Sequence, residues 1–298
     1  MRIFLTGATG FIGSRIVPEL LAAGHQVLGM TRSDAGAAWL TRQGAEVHRA
    51  TLEDLDSIRA GAANVDAVIH TAFDHDFANF VANCEKDARV IAALGAVLKG
   101  SSRPLLITSG TGIGQAGPHL PATEDVTNFA HPNPRIASEK QGNALLDAGV
   151  NVAVVRLPQV HDTKRQGLIS PFIDISREKG VVGYVGDGGN RWPAAHVDDV
   201  ARLYRLAIAQ AEPGARYHAV DEEGVAVRDI AAVVAEGLNL PLKSLSAEEA
   251  PAHFGWLGMF AGLDLVASSK VTRARLGWTP TGPSLLDDLR HMDFAVTA

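Results

Sequence analysis

The stretch Arg2-Ile3-Phe4-Leu5-Thr6-Gly7-Ala8-Thr9-Gly10-Phe11-Ile12-Gly13 decides the fold. Its apolar opening reads as a strand, and the amphipathic run from Phe11 to Ala23 reads as a helix. Gly7, Gly10 and Gly13 stand at the junction. A dinucleotide pyrophosphate needs that order. Gly7 permits a tight turn off the strand, Gly10 lets the backbone approach the phosphates, and Gly13 lets the helix pack close. The helix aims free N–H groups and its positive dipole end at the phosphates, with Thr9, Phe11 and Ile12 completing the cradle. Three glycines alone are a weak signal; their place between strand and helix makes them specific.

Outward from this loop, short β-branched runs alternate with helical stretches. The expected strands are Ile3–Leu5, Gln26–Met30, Ala45–His48, Ala67–His70, Leu105–Thr108 and Val152–Leu157. Between them come helices near Phe11–Ala23, Ala35–Gln43, Leu55–Ala60, Phe77–Leu98 and Arg135–Ala148. The pattern predicts an α/β, Rossmann-type doubly wound parallel sheet, with ligands bound beyond the carboxyl ends of the strands. Past Pro158 the rhythm changes. Helices are expected at Ile169–Lys179, Val197–Gln210 and Val227–Leu238, and a strand at Tyr217–Val220. Residues 1–160 are therefore expected to form the dinucleotide-binding domain, which also receives about 190–212. Residues 161–298 mainly form a smaller C-terminal substrate lobe, and the cleft between the two is the expected substrate site.

The chain has 298 residues, 46% hydrophobic and 20% charged, with a net charge of −6 and a pI near 6.0. The acidic balance and scattered cations argue against nucleic acid or an anionic membrane as the main partner and leave a small-molecule substrate. The single cysteine, Cys84, excludes an intrachain disulfide and fits a cytoplasmic protein. It reads as a packed helix residue. The apolar start is broken by glycines and reads as strand plus loop, not as a signal peptide. None of the 11 histidines shows metal-ligand spacing, so no metal is expected.

The glycine loop, together with His196-Val197-Asp198-Asp199-Val200-Ala201 and Leu276-Gly277-Trp278-Thr279-Pro280, resembles the extended and atypical short-chain dehydrogenase/reductases, the NAD(P)-dependent epimerase/dehydratase family. The likeness covers nearly the whole chain. It implies that Thr51-Leu52 flank the adenine, with Thr51 in place of the usual Asp. Thr71-Ala72-Phe73 would lie beneath the ribose and pyrophosphate. Leu157-Pro158-Gln159-Val160-His161 would cover the nicotinamide face. It also places Asn83 near the active site, and His161, Tyr184, Arg191, Trp192 and His196 against substrate, with Trp192 as an apolar wall. Asp198 and Asp199 read as helix-capping carboxylates. The family's pairing through two long helices, here Phe77–Leu98 and Arg135–Ala148, implies a homodimer.

Cofactor choice follows from charge. The second strand ends in Thr31-Arg32-Ser33 with no acid at its tip. An acid there would bind the ribose hydroxyls of NAD; Arg32 instead suits a 2′-phosphate, with Ser33 adding a hydrogen bond. The expected cofactor is NADP, with NAD as the alternative.

Catalysis departs from the resemblance. The family uses a Ser/Thr and a Tyr-x-x-x-Lys pair, but none of the three tyrosines here is followed by Lys four places on. Counting from Arg156 through Glu139 puts His131 at the Tyr position and Arg135 at the Lys position; counting from Lys140 puts Ile136 at the former. In the first register His131 transfers the proton and Arg135 holds the ribose. In Thr108-Ser109-Gly110-Thr111 the family hydroxyl falls on Gly110, so Ser109 or Thr111 substitutes as carbonyl donor. The reading is an NADP-dependent oxidoreductase acting on a small carbonyl or alcohol. The alternatives are a non-catalytic NADP-binding sensor or a sugar-nucleotide epimerase/dehydratase.

Overall fold

The computed structural model describes residues 1–117 and 119–295. The chain runs β1 (Arg2–Thr6), α1 (Gly13–Ala22), β2 (Gln26–Thr31), α2 (Asp34–Gln43), β3 (Glu46–Arg49), α3 (Leu55–Ala63), β4 (Ala67–His70), α4 (Phe80–Leu98), β5 (Leu105–Gly110), α5 (Ile136–Asp147) and β6 (Val152–Leu157). It continues through β7 (Gln159–His161), α6 (Ile169–Lys179), β8 (Val182–Val185), β9 (Arg191–His196), α7 (Val197–Gln210), β10 (Arg216–His218), β11 (Glu222–Ala226) and α8 (Val227–Leu238). β12 (Leu242–Leu245), α9 (Ala250–Phe254), α10 (Gly258–Ala261), α11 (Lys270–Leu276) and α12 (Leu285–Arg290) close it.

Seven parallel strands form the central sheet in the order β10-β6-β5-β4-β1-β2-β3. Strand alternation sorts the core. Ile3, Leu5 and Leu106 turn to the face covered by α1, α2 and α7; Phe4, Leu105 and Ile107 turn to the face covered by α3, α4 and α5. The order reverses between β1 and β4, which sets the crevice at the carboxyl ends of those strands.

The second lobe is built on the sheet β11-β9-β7 and the pair β12-β8, with its own apolar core. Two segments fall otherwise than expected. The strand expected in the C-terminal lobe at Tyr217–Val220 is β10, which pairs with β6 and extends the central sheet, Tyr217 opposite Val155. Within residues 190–212, α7 packs against the dinucleotide-binding half and Ala195 of β9 reaches the same core, while β9 pairs with β7 and β11 in the second lobe's sheet. Among the described residues no helix is long and apolar enough to cross a membrane.

The family-type motifs meet in space. Buried Asp199 accepts the N–H groups of Thr281 and Gly282, and Trp278 Nε1 donates to Asp199 O at 2.9 Å. Asp199 is thus a tie between α7 and the C-terminal turn rather than only a helix cap.

Candidate active site

The phosphate cradle has the expected geometry. Gly7 has φ +70°, and a Cβ there would lie 2.8 Å from Ala72 N. A Cβ on Gly13 would overlap the Gly7 carbonyl. Thr71 Oγ1 donates to Thr6 O at 2.7 Å and Ala72 N–H to Thr6 Oγ1 at 3.3 Å, so the loop after β4 is drawn against the end of β1. No side chain caps α1; Ser14 N–H donates to Gly10 O and Arg15 N–H to Ile12 O, each at 2.9 Å, so among the described residues the N–H groups of Phe11, Ile12 and Gly13 are the ones left toward an anion. Phe11 and Ile12 pack partly into the core beside it. These residues fit a dinucleotide pyrophosphate.

At the tips of β2 and β3 lies a pocket of about 280 Å³ lined by Thr31, Arg32, Arg49, Ala50, Thr51 and Asp54. Thr9 Oγ1 is 3.4 Å from Thr31 Oγ1 behind it. Arg32 is exposed and, among the described residues, makes no ion pair. Arg49, which sequence reasoning missed, pairs with exposed Asp34 at 2.6 Å. Ser33 spends its hydroxyl as the N-cap of α2, accepting Gly36 N–H at 3.1 Å. Leu52 packs partly into the core on the α3 side of the sheet.

Beneath the cleft runs a buried polar chain. Thr6 Oγ1, which accepts from Ala72, lies 2.7 Å from His70 Nδ1, and His70 Nε2 lies 3.0 Å from Asp87 Oδ1. Arg135 Nη1 and the Ser138 hydroxyl each donate to Asp87 Oδ2 at 2.6 Å. Arg135 Nη2 donates to Thr108 O at 2.9 Å, and its guanidinium lies 4.2 Å from the Phe73 ring centroid. Burial disfavours the Asp87 carboxylate. Arg135 first, then hydrogen bonds from His70 and Ser138, outweigh that and hold it well below the usual carboxylate range. Arg135 therefore first braces the polar chain; among the described residues its Nε–H and one Nη2–H have no hydrogen-bond partner. Thr108 Oγ1 is spent on His70 O and the Tyr204 hydroxyl, each at 2.7 Å, so its side chain does not reach into the cleft.

The helix register is clear: Arg135 turns inward, Lys140 is exposed, and Glu139 makes a fully buried ion pair with Arg156 at 2.8 Å. Arg156 also binds the carbonyls of Thr123 and Val126 and the Thr127 hydroxyl, which pins the segment leading to His131. Asn128 N–H donates to Ile113 O at 2.9 Å, and His131 N–H to Asn128 O at 3.0 Å. An ideal Cβ on Gly112 would lie 4.0 Å from His131 Nε2. A Cβ on Gly110, the family's hydroxyl position, would meet nothing within 4 Å. Ser109 Oγ is buried without a hydrogen-bond partner. Thr111 is also nearly buried.

The outer wall is aromatic and was invisible in the sequence. Phe73 and Phe80 meet edge-on, and Phe77 stacks on Trp256 of the second lobe at 4.3 Å and 3°. His75 sits exposed on this strap, its ring edge-on to Phe73 at 5.3 Å. Asn83 is not at the cofactor: it is buried and donates to Asp76 O at 2.8 Å, holding the strap.

Several expected contacts are corrected. Trp192 is 1% exposed in the second-lobe core and forms no cleft wall, because strand alternation turns it inward. His161 is fully buried and bonded to Asp288 at 2.7 Å, while His196 caps α7 with its ring 5.8 Å from that of His161. His161 thus ties β7 to α12 within the second lobe, and His196 sits where β9 passes into α7. Tyr184 packs against the second-lobe core, and Arg191 pairs with Asp264 at 3.0 Å. Val160 is in the central core, whereas Leu157 and Pro158 stay half-buried where the chain leaves β6 for β7. Cys84 is buried, its thiol pushed up to about 11 by burial. Among the described residues no group of three or more His, Cys, Asp or Glu could hold a metal.

This constellation defines a nicotinamide-dinucleotide type of Rossmann protein, of the extended short-chain dehydrogenase/reductase class. The chain belongs to the NAD dependent epimerase/dehydratase family, whose model matches residues 3–221. It is 44% identical to protein C2A9.02 of Schizosaccharomyces pombe over 290 residues, covering 97% of this chain and 98% of that one. It is 28% identical to the 2-alkyl-3-oxoalkanoate reductase of Stenotrophomonas maltophilia over 229 residues, 72% of this chain and 67% of that one. The NAD complex of UDP-glucose 4-epimerase from Thermus thermophilus superposes with a TM-score of 0.76 at 22% identity, covering 100% of both chains.

Proposed function

We propose that this protein is an NADP-dependent carbonyl reductase or alcohol dehydrogenase whose Tyr-Lys pair is replaced by His131 and Arg135. The observation that carries the cofactor is the arginine-flanked pocket at the tips of β2 and β3, where unpaired Arg32 and adjustable Arg49 suit a 2′-phosphate. When bound, the nicotinamide supplies or accepts hydride. The N–H groups of Phe11, Ile12 and Gly13 hold the pyrophosphate, Phe73 and Arg135 shape the floor, and His131 faces the reacting oxygen beside Gly112.

The aromatic strap favours an apolar carbonyl substrate over a sugar nucleotide. Leu263, Met259 and Phe129, all exposed, continue that apolar character on neighbouring segments of the second lobe and of the loop carrying His131. The reductase relative named for alkyl-oxoalkanoates agrees with this reading. The test is calorimetric titration with NADPH and NADH, followed by NADPH oxidation with alkyl and aryl ketones. NADPH preference with turnover on apolar ketones is expected. Preference for NADH overturns the cofactor. The inward commitment of Arg135 favours a second reading, a cofactor-binding sensor, and tight NADPH binding without turnover across the panel would select it.

A further inference from the structure

We infer that His131 serves the substrate oxygen as a neutral hydrogen-bond donor through Nε2–H, and not as an imidazolium acid. The inference rests on the reductase reading of the cleft.

The carrying observation is a hydrogen bond of fixed direction: Asn133 N–H donates to His131 Nδ1 at 3.1 Å. A backbone amide nitrogen donates and does not accept, so Nδ1 must keep its lone pair. The ring's one proton then resides on Nε2, the atom that faces Gly112. A second proton on Nδ1 would set two N–H groups against each other. The loop holds this arrangement. His131 lies in His131-Pro132-Asn133-Pro134, where the prolines restrict the backbone, and Asn133 Oδ1 accepts Arg135 N–H at 2.9 Å.

Among the described residues no neighbouring charge favours the imidazolium. From its own loop His131 meets Asn128 and Asn133, and from the turn after β5 it meets Gly112, none of them charged. Burial alone lowers its pKa. The nearest cation in sequence, Arg135, is turned to Asp87. In other enzymes a neutral imidazole polarises a carbonyl in this way.

The step balances with water as the proton source. The carbonyl carbon gains hydride and the C–O π pair moves to oxygen, which is held by His131 Nε2–H. That oxygen then takes a proton from water, and the hydroxide left is neutralised by buffer. His131 ends the cycle in the form in which it began.

Two measurements test this. Imidazole ¹⁵N shifts of the ligand-free protein, assigned by loss of signals in His131→Gln, report the tautomer whether or not a substrate is known. The Nε2–H form is expected to persist below the ordinary histidine pKa of ~6.5. An imidazolium that forms at or above that ordinary value overturns the inference. In turnover, His131→Ala is expected to lose about 100-fold in kcat/KM, the scale of one lost oxyanion donor. His131→Gln, which keeps a neutral N–H, is expected to recover about 10-fold of that loss. Equal loss in both variants, together with a rate limb near the ordinary histidine pKa, overturns it. A wild-type rate in His131→Ala also overturns it while leaving the reductase reading in place. Absence of all carbonyl turnover sinks the reductase reading, and with it the assigned role.

Discussion

Arg135 Nη1 lies 2.6 Å from Asp87 Oδ2, and Asp87 is 1% exposed. The Arg135 cation is thus neutralised from inside the protein, by a carboxylate that is itself bonded to His70 and Ser138. Asp87→Asn leaves Arg135 nearly buried without its counter-charge. An expected loss of about 3 kcal/mol follows, read as a lower urea midpoint. The pH dependence has a definite sign. The folded carboxyl titrates below its unfolded value of ~3.9, so its contribution is complete above that value and is lost as pH falls toward the folded pKa. Asp87→Asn should flatten only that acid limb.

Arg32→Ala and Arg49→Ala are each expected to weaken NADPH binding about 10-fold or more, the scale of a lost charge-assisted hydrogen bond, with little change for NADH. Asp34→Asn frees Arg49 and should tighten NADPH. Equal effects on both cofactors in the titration would remove the pocket from 2′-phosphate recognition.

Gly110 has φ −115° and ψ 147°, an extended conformation that any residue adopts, with open space at its Cβ. Gly110→Ser is therefore expected to fold with a melting temperature near wild type. It should restore a hydroxyl donor at the end of β5 and raise kcat/KM on ketones several-fold, within the ~10²-fold worth of one oxyanion donor. A large drop in melting temperature would show that the space is not free.

His218 is fully buried, its Nε2 3.2 Å from Arg156 Nη1 and its Nδ1 2.8 Å from Ser268 O. Burial, then Arg156, push its pKa down to about 3. Between the unfolded value of ~6.5 and that value, the unfolded chain binds a proton that the folded chain refuses. This site alone then lowers stability by ~1.4 kcal/mol per pH unit as pH falls. Urea melts of His218→Gln should show a shallower decline than wild type across that window.

Some of this was legible residue by residue. Gly7 and Gly13 are readable because a positive φ and a close helix–strand approach each forbid a side chain. Arg32 is readable as the tip of the second strand. Arg49 is not, because its nearness to Arg32 depends on β3 pairing beside β2. Counting through Glu139 singled out His131 and Arg135 as candidates, but the Asn133 N–H to His131 Nδ1 bond depends on loop geometry. Trp192 misled because it flanks a family motif, while its burial follows from the strand face on which it falls.

By itself the sequence determined the central architecture, the glycine turn after β1 and the absence of a Tyr-x-x-x-Lys pair, since these depend on local periodicity, on where side chains are missing, and on residue identity. The tertiary structure alone decided that β10 completes the central sheet, that Arg135 answers first to Asp87, and that Phe77 meets Trp256 across the cleft. Each of these joins residues far apart in the chain. Their pairing is selected by the shared burial of apolar surface and by the cost of leaving a buried charge unpaired, neither of which is written in any one segment.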